Sequence, residues 1–233
     1  MLGILTGALV ENGYYAQAEK VVKMPILVMT ALGAVMMPRI SALYAAGDEK
    51  AIGAHIMRSY RFVWLLALPM AVGLAGTISY VTPWFFGAGF EKVEPLVKVM
   101  SGMVIAIGLS NVTGLQYLLA VNRQNHLTIS CLIGAAVNVL LNWFLIPKFL
   151  SEGAAVASLL AEGTVAAVEF WFVRKMFPAR AVLRLAWPYL GGSFLMGGVL
   201  WLLGTGLALP RTALSALFLI LVGAAVYAAV LYQ

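Results

Sequence analysis

Charge is scarce in this 233-residue sequence: Asp, Glu, Lys and Arg make up 10% of it, against 63% apolar residues. So little polar material cannot cover a water-soluble fold, so the outer surface must itself be apolar and lipid must be the solvent. Cysteine is limited to Cys131, which excludes an intramolecular disulfide and a cysteine metal cluster. In its apolar surroundings Cys131 reads as a small packing residue. The two histidines, His55 and His126, fall in separate predicted turns without metal-ligand spacing. No Ser/His pair, paired-aspartate loop or phosphate-cradling glycine motif stands where it would support catalysis. The reading is of a protein that is not an enzyme and needs no cofactor or metal. The net charge of +6 fits Lys and Arg retained on the cytoplasmic side of a membrane and gives no support to nucleic acid as a partner.

Seven long apolar segments fill the chain, near 14–46, 52–83, 92–121, 124–147, 152–177, 186–208 and 212–232, after an apolar stub at 1–10. Each exceeds the roughly 20 residues that cross a ~30 Å hydrocarbon core. The fold class is therefore all-α integral membrane, a polytopic transmembrane helix bundle. The stub has no basic flank and too short an apolar run for a signal peptide or a span, so it reads as the end of a truncated helix. Pro25 and Pro69 lie within segments and are expected to kink them. Pro83, Pro95, Pro147, Pro178, Pro188 and Pro210 lie near predicted ends. Small residues at helical spacing, Gly3 with Gly7, Gly134 with Asn138 and Ala154 with Ser158, suit close helix packing in lipid. Of the fifteen basic residues, nine fall on one side and six on the other, with VRKMFPARAVLR at 173–184 dominating the richer side. That loop and the C-terminus are expected in the cytoplasm, and GAGFEKVEP at 87–95 outside.

Polar residues at membrane depth are costly, about 2.5–3.5 kcal/mol for a charge at a helix centre, and so must face protein or water. Glu19 and Lys23 are spaced to pair, and Lys20 and Lys23 share a face that either attracts an anionic substrate or snorkels to headgroups. Asn138 and Asn142 share a face and offer uncharged donors and acceptors, for a substrate or for another helix. Glu162 and Glu169, seven residues apart, are nearly aligned; each is a candidate for ion coupling or for an ion pair within the bundle. Asn111, Gln116, Asn122 and Arg123 run toward a cytoplasmic turn, with Asn111 deepest.

Three stretches carry a family likeness: MLGILTGALVENGYYAQAEKVVKMPILVMTALGAVMMPRIS at 1–41, WFFGAGFEKVEPLVKVMS at 84–101, and GAAVNVLLNWFLIPKFLSEGAAVASLLAE at 134–162. In order and spacing they resemble the Wzx-type flippases for lipid-linked oligosaccharides, polysaccharide exporters of the MOP (MATE-like) superfamily. The resemblance covers residues 1–177 and departs at Glu152, where the family has small or apolar residues. It implies the second lobe of a two-lobed transporter that rocks between inward-open and outward-open states, plus two extra C-terminal helices. The domains are then a truncated helix at 1–10, a C-terminal transporter lobe of five helices at 11–177 and an added two-helix hairpin at 178–233. The implied function is to flip polyprenyl-pyrophosphate-linked oligosaccharide across the bacterial cytoplasmic membrane for surface polysaccharide export. The implied partners are that substrate, membrane lipid, a missing N-terminal lobe and polysaccharide assembly proteins.

On that resemblance Lys20, Lys23 and Arg39 would meet pyrophosphate or acidic sugars, and Asn111, Asn138 and Asn142 would bind sugar hydroxyls. Glu162 or Glu169 would couple transport to a proton or sodium gradient. Two other classes compete. One is a truncated, non-transporting remnant or membrane scaffold. The other, a glycosyl-transferring membrane enzyme, is disfavoured by short loops without a carboxylate cluster.

Overall fold

A computed structural model describes residues 2–3, 9–207 and 209–232. Most of the stub at 1–10, and Gly7 of the Gly3–Gly7 pair, lie outside them. The described residues form an all-helical bundle with six helices long and apolar enough to cross a membrane, which makes the protein a multi-pass membrane protein.

Helix α1 is Leu9–Ala45 and α2 is Glu49–Phe85, each 37 residues long. Gly47, at φ 72°, makes the turn between them, and Asp48 caps α2 by accepting the Ala51 N–H at 2.9 Å. Both helices run through their prolines, Pro25 and Pro38 in α1 and Pro69 and Pro83 in α2. Helix α3 is Val93–Ser110; where the sequence predicts α-helix to 121, the chain passes into a π-helix over Asn111–Leu119. Periodicity along a sequence does not resolve that change of winding, because a π turn adds one residue without interrupting the apolar pattern.

Helix α4, Gln124–Val173, is 50 residues long, yet at Leu150 (φ 51°, ψ −129°) the backbone leaves helical geometry and folds back. Close approaches between the limbs 124–149 and 151–173 pair Gly134 with Val165 and Gly153 with Leu145. The two predicted segments 124–147 and 152–177 are thus the arms of one tight antiparallel hairpin, and the second ends at Val173, short of 177. The predicted loop at 173–184 contains a short helix, α5 (Ala179–Arg184), fastened to α2 by the Trp64 Nε1–H donating to the Val182 carbonyl at 3.0 Å. Helices α6 (Trp187–Gly206) and α7 (Ala213–Tyr232) close the chain. His55 lies in the second turn of α2 and His126 in the first turn of α4, just inside the helices and not in the connections before them.

In lipid no hydrophobic drive pulls apolar helices together, so association depends on close packing and internal polar contacts. A Cβ at Gly108 of α3 would lie 2.9 Å from both Met29 Sδ of α1 and Val63 Cγ1 of α2, so its absence lets the three helices meet. Around that junction runs the main core, including Val22, Ile56, Tyr60, Met100, Val104 and Phe177. Helices α6 and α7 pack on each other and on α2 around a smaller core of Met196, Leu200, Leu219 and Tyr227. The Tyr227 hydroxyl donates to the Leu65 carbonyl at 2.8 Å. Large apolar side chains such as Phe194, Trp201 and Leu214 are left exposed on the outer surface, as a lipid-facing helix requires.

Candidate functional site

Helix α1, the α3–π junction and both limbs of α4 surround a cleft of about 610 Å³. Its polar lining includes Tyr15, Glu19, Thr30, Ser110, Asn111, Asn138, Ser158, Glu162 and Glu169. Four residues picked out in the sequence, Asn111, Asn138, Glu162 and Glu169, therefore meet on one wall system although they come from three helical segments.

Helical spacing explains the grouping. Tyr15 and Glu19 are one turn apart on α1, and Glu162 and Glu169 are two turns apart on the second limb of α4. The Tyr15 hydroxyl and Ser158 Oγ lie 2.7 Å apart, tying α1 to the hairpin across the cleft. Gln116, fully buried in the π segment, donates from Nε2 to Asn111 Oδ1 at 3.2 Å and leaves its own Oε1 without a partner. A Cβ at Gly33 of α1 would lie 2.5 Å from Asn111 Oδ1, so only glycine admits Asn111 at that point. Gln116 is the more buried of the two amide side chains.

Lys23 pairs with Glu19 at 2.8 Å, as their spacing predicts, at the rim of the cleft. Lys20 and Arg39 are exposed, line no part of the cleft and make no ion pair among the described residues. Asn142 is buried beside the cleft; its Nδ2 donates to Asn138 Oδ1 at 2.9 Å within one limb, and its Oδ1 has no hydrogen-bond partner. Glu162 and Glu169 form no ion pair among the described residues, contrary to one of the two readings open for them. Glu169 is completely buried; among the described residues neither carboxylate oxygen has a hydrogen bond of good geometry, and the Ser110 hydroxyl is the donor beside it. Cys131 is exposed and borders the cleft; it is not the buried packing residue that its apolar neighbours suggested, because its helix face opens onto the gap between the limbs and α1.

Glu11 escaped the sequence reading. It lies in the first turn of α1, 6% exposed, and accepts from Lys92 Nζ at 2.6 Å and Ser151 Oγ at 2.5 Å. That contact joins three distant segments at one end of the bundle, and proximity to Glu11 holds Lys92 charged above the usual lysine range. The only available signal was a lone acid near the start of an apolar run.

The family described as "Lipid II flippase MurJ" matches residues 8–223. The "Lipid II flippase MurJ" of Bacillus subtilis is 26% identical over 226 residues, covering 91% of this chain and 40% of that protein. The "Probable low-salt glycan biosynthesis flippase Agl15" of Haloferax volcanii is 25% identical over 149 residues, 64% of this chain and 31% of that one. An uncharacterized membrane protein of Methanocaldococcus jannaschii is 25% identical over 145 residues, 62% of this chain and 28% of its own length. A solved structure titled "Lipid II flippase MurJ, inward closed conformation" shares the fold at a TM-score of 0.70 and 18% identity, over 91% of this chain and 46% of the other. The chain spans less than half the length of each of these relatives. The relationship to flippases expected from the sequence holds, within the superfamily but in the lipid II branch and not specifically the Wzx type. With the match running over residues 8–223, this chain belongs to the lipid II flippase MurJ family.

Proposed function

We propose that this chain forms one lobe of a flippase that moves a polyprenyl-pyrophosphate-linked saccharide across the cytoplasmic (inner) membrane by alternating access. Residues 11–177 are the lobe proper, residues 178–233 an added helical hairpin, and the partner lobe comes from a longer or separate chain. The observation that carries this reading is the cleft among membrane-spanning helices that Asn111, Asn138, Tyr15 and Ser158 line together. Moving a charged, hydroxyl-rich headgroup into hydrocarbon costs on the order of tens of kcal/mol by Born solvation, and a polar groove removes most of that cost.

In this reading Asn111, Asn138 and Asn142 serve sugar hydroxyls, and Lys20, Lys23 and Arg39 serve pyrophosphate or acidic sugars from the open side of α1. The prenyl tail stays in lipid, and no bond is made or broken. Glu162 and Glu169 are the ion-coupling candidates. The C-terminus and the 173–184 segment lie in the cytoplasm. Both lipid II and an oligosaccharide for surface polysaccharide fit this substrate class; named relatives act on each side of that choice.

The test is flipping of a fluorescent polyprenyl-pyrophosphate saccharide in proteoliposomes containing this chain and its partner lobe. Alanine at Lys20 and at Lys23 should each slow flipping severalfold at equal protein level. Unchanged rates in both variants would remove these lysines from the mechanism, and no flipping by any assembly containing the chain would overturn the reading.

A further inference from the structure

Glu169 is the one acidic side chain whose two carboxylate oxygens are both buried and unpartnered among the described residues. It sits against the π segment, where a Cβ at Gly114 would lie 2.7 Å from Glu169 Oε1 and 2.8 Å from Leu127 Cδ1. The carboxyl thus lies against bare π-helix backbone at Gly114, a point that Leu127 also approaches. It also lines the polar cleft beside Ser110 and Asn111.

The titratable and charged groups around it are few. Glu162 lies two turns along the same limb, Cys131 on the facing limb, Tyr60 on α2, and Tyr15 with the Glu19–Lys23 pair across the cleft on α1. None is a cation in contact with it, and Lys23 is already held by Glu19. An ionised carboxylate in that position has no counter-charge and only the Ser110 hydroxyl beside it as a donor, a state the membrane interior strongly disfavours. A metal cation is poorly served too, because it needs several ligands and no group of three or more His, Cys, Asp or Glu side chains gathers among the described residues.

We propose that Glu169 is a proton-binding site, occupied in this conformation, and that gain and loss of its proton is read by the π segment Asn111–Leu119. This deepens the flippase reading by choosing Glu169 over Glu162 and a proton over sodium, and rests on that reading only for its role in transport. Loss of the proton leaves a charge that must find water or a donor. Gln116 lies in the same π segment, buried and with one unpartnered amide oxygen. A π segment relaxes toward α-winding by shifting one residue in register, which re-aims every side chain it carries. Gly114 makes the coupling direct, since no side chain separates the carboxyl from the backbone that must move.

The experiment is infrared difference spectroscopy of the chain in nanodiscs over a pH titration, following the protonated-carboxyl stretch, with hydrogen exchange across 111–119 corrected for the intrinsic pH effect. The wild-type protein should show a buried protonated carboxyl that disappears as pH rises, together with changed exchange in 111–119. Glu169→Gln should abolish both changes and Glu162→Gln should keep them. Gly114→Ala, which crowds the carboxyl without removing it, should displace the titration. Persistence of the band in Glu169→Gln, its loss only in Glu162→Gln, its absence from wild type, or its disappearance on adding sodium at fixed pH would each overturn the proposal. None of these readouts requires flipping, so failure here and failure of the transport reading are separable.

Discussion

Glu11 in the first turn of α1 and Lys92 in the turn before α3 are 81 residues apart in sequence and 2.6 Å apart in space. Ser151, at the fold of the α4 hairpin, completes the contact by donating to the other Glu11 oxygen. The carboxylate is nearly enclosed while the lysine remains largely in the open, so the carboxylate is the member whose loss is costly.

Replacing Glu11 by Ala removes the acceptor from Ser151 as well as the ion-pair partner. The expected loss of stability is about 1–3 kcal/mol, the cost of leaving a buried polar group unmatched. Glu11→Gln, which keeps an acceptor, should lose less. Thermal unfolding in a fixed detergent checks both, and equal melting temperatures for wild type and Glu11→Ala would show that the contact holds nothing together.

The same pair carries a pH dependence. Glu11 raises the affinity of Lys92 for its proton, so the stability it contributes is fully present below the ordinary lysine value of 10.5 and is lost as pH rises through the higher folded value. Between neutral pH and 10 the contribution should therefore be flat. Comparing the alkaline limb of the melting profile in wild type and Lys92→Gln tests this, since only the wild type should show the extra decline.

At the hairpin, a Cβ on Gly153 would meet the Leu145 carbonyl oxygen at 2.5 Å, and backbone cannot give way as a side chain can. Gly153→Ala should destabilise by about 1–3 kcal/mol through overpacking. Leu150 has φ 51°, a conformation that suits glycine, so Leu150→Gly should be neutral or stabilising by up to ~1 kcal/mol once side-chain packing is allowed for. In thermal unfolding Gly153→Ala should lower the melting temperature and Leu150→Gly should not.

Tyr60 and Thr113 illustrate an asymmetry. Thr113 Oγ1 donates to the Leu109 carbonyl at 3.0 Å, so the 2.8 Å bond between the hydroxyls has Tyr60 as its donor. Tyr60→Phe leaves Thr113 satisfied and should cost about 0.5–1.5 kcal/mol. Thr113→Val orphans a buried phenol and should cost about 1–3 kcal/mol. Chemical denaturation of the two variants should rank them in that order.

Cys131 offers a probe of the cleft. Being exposed and on its border, it should react with a charged, water-soluble thiol reagent if the cleft is wet, and a bound saccharide lipid should slow that reaction. Modification by apolar reagents alone would mean that lipid fills the cleft.

Much of this fold is legible in the sequence because lipid imposes a simple rule: a spanning segment must be long, apolar and helical. The predicted segment 52–83 overlaps α2 throughout, and the break between 147 and 152 brackets the hairpin turn at Leu150. The Glu19–Lys23 pair was likewise readable, since a four-residue spacing fixes a local contact. The π-winding of Asn111–Leu119 was not, because it changes hydrogen-bond register without altering composition.

Sequence alone determined that this chain crosses a membrane several times and carries a sparse set of polar residues at depth, because composition and segment length are properties of the chain itself. Tertiary structure alone decided which of those residues share a cleft. Asn111, Asn138, Glu162 and Glu169 do so, while Lys20 and Arg39 are exposed outside its lining and Cys131 borders it. It alone revealed Glu11 as a tie between three segments and Glu169 as a buried carboxyl without a counter-charge among the described residues. Those outcomes depend on the rotation and close approach of helices at glycines such as Gly33, Gly108 and Gly134, where removing one Cβ sets a distance between elements far apart in the chain.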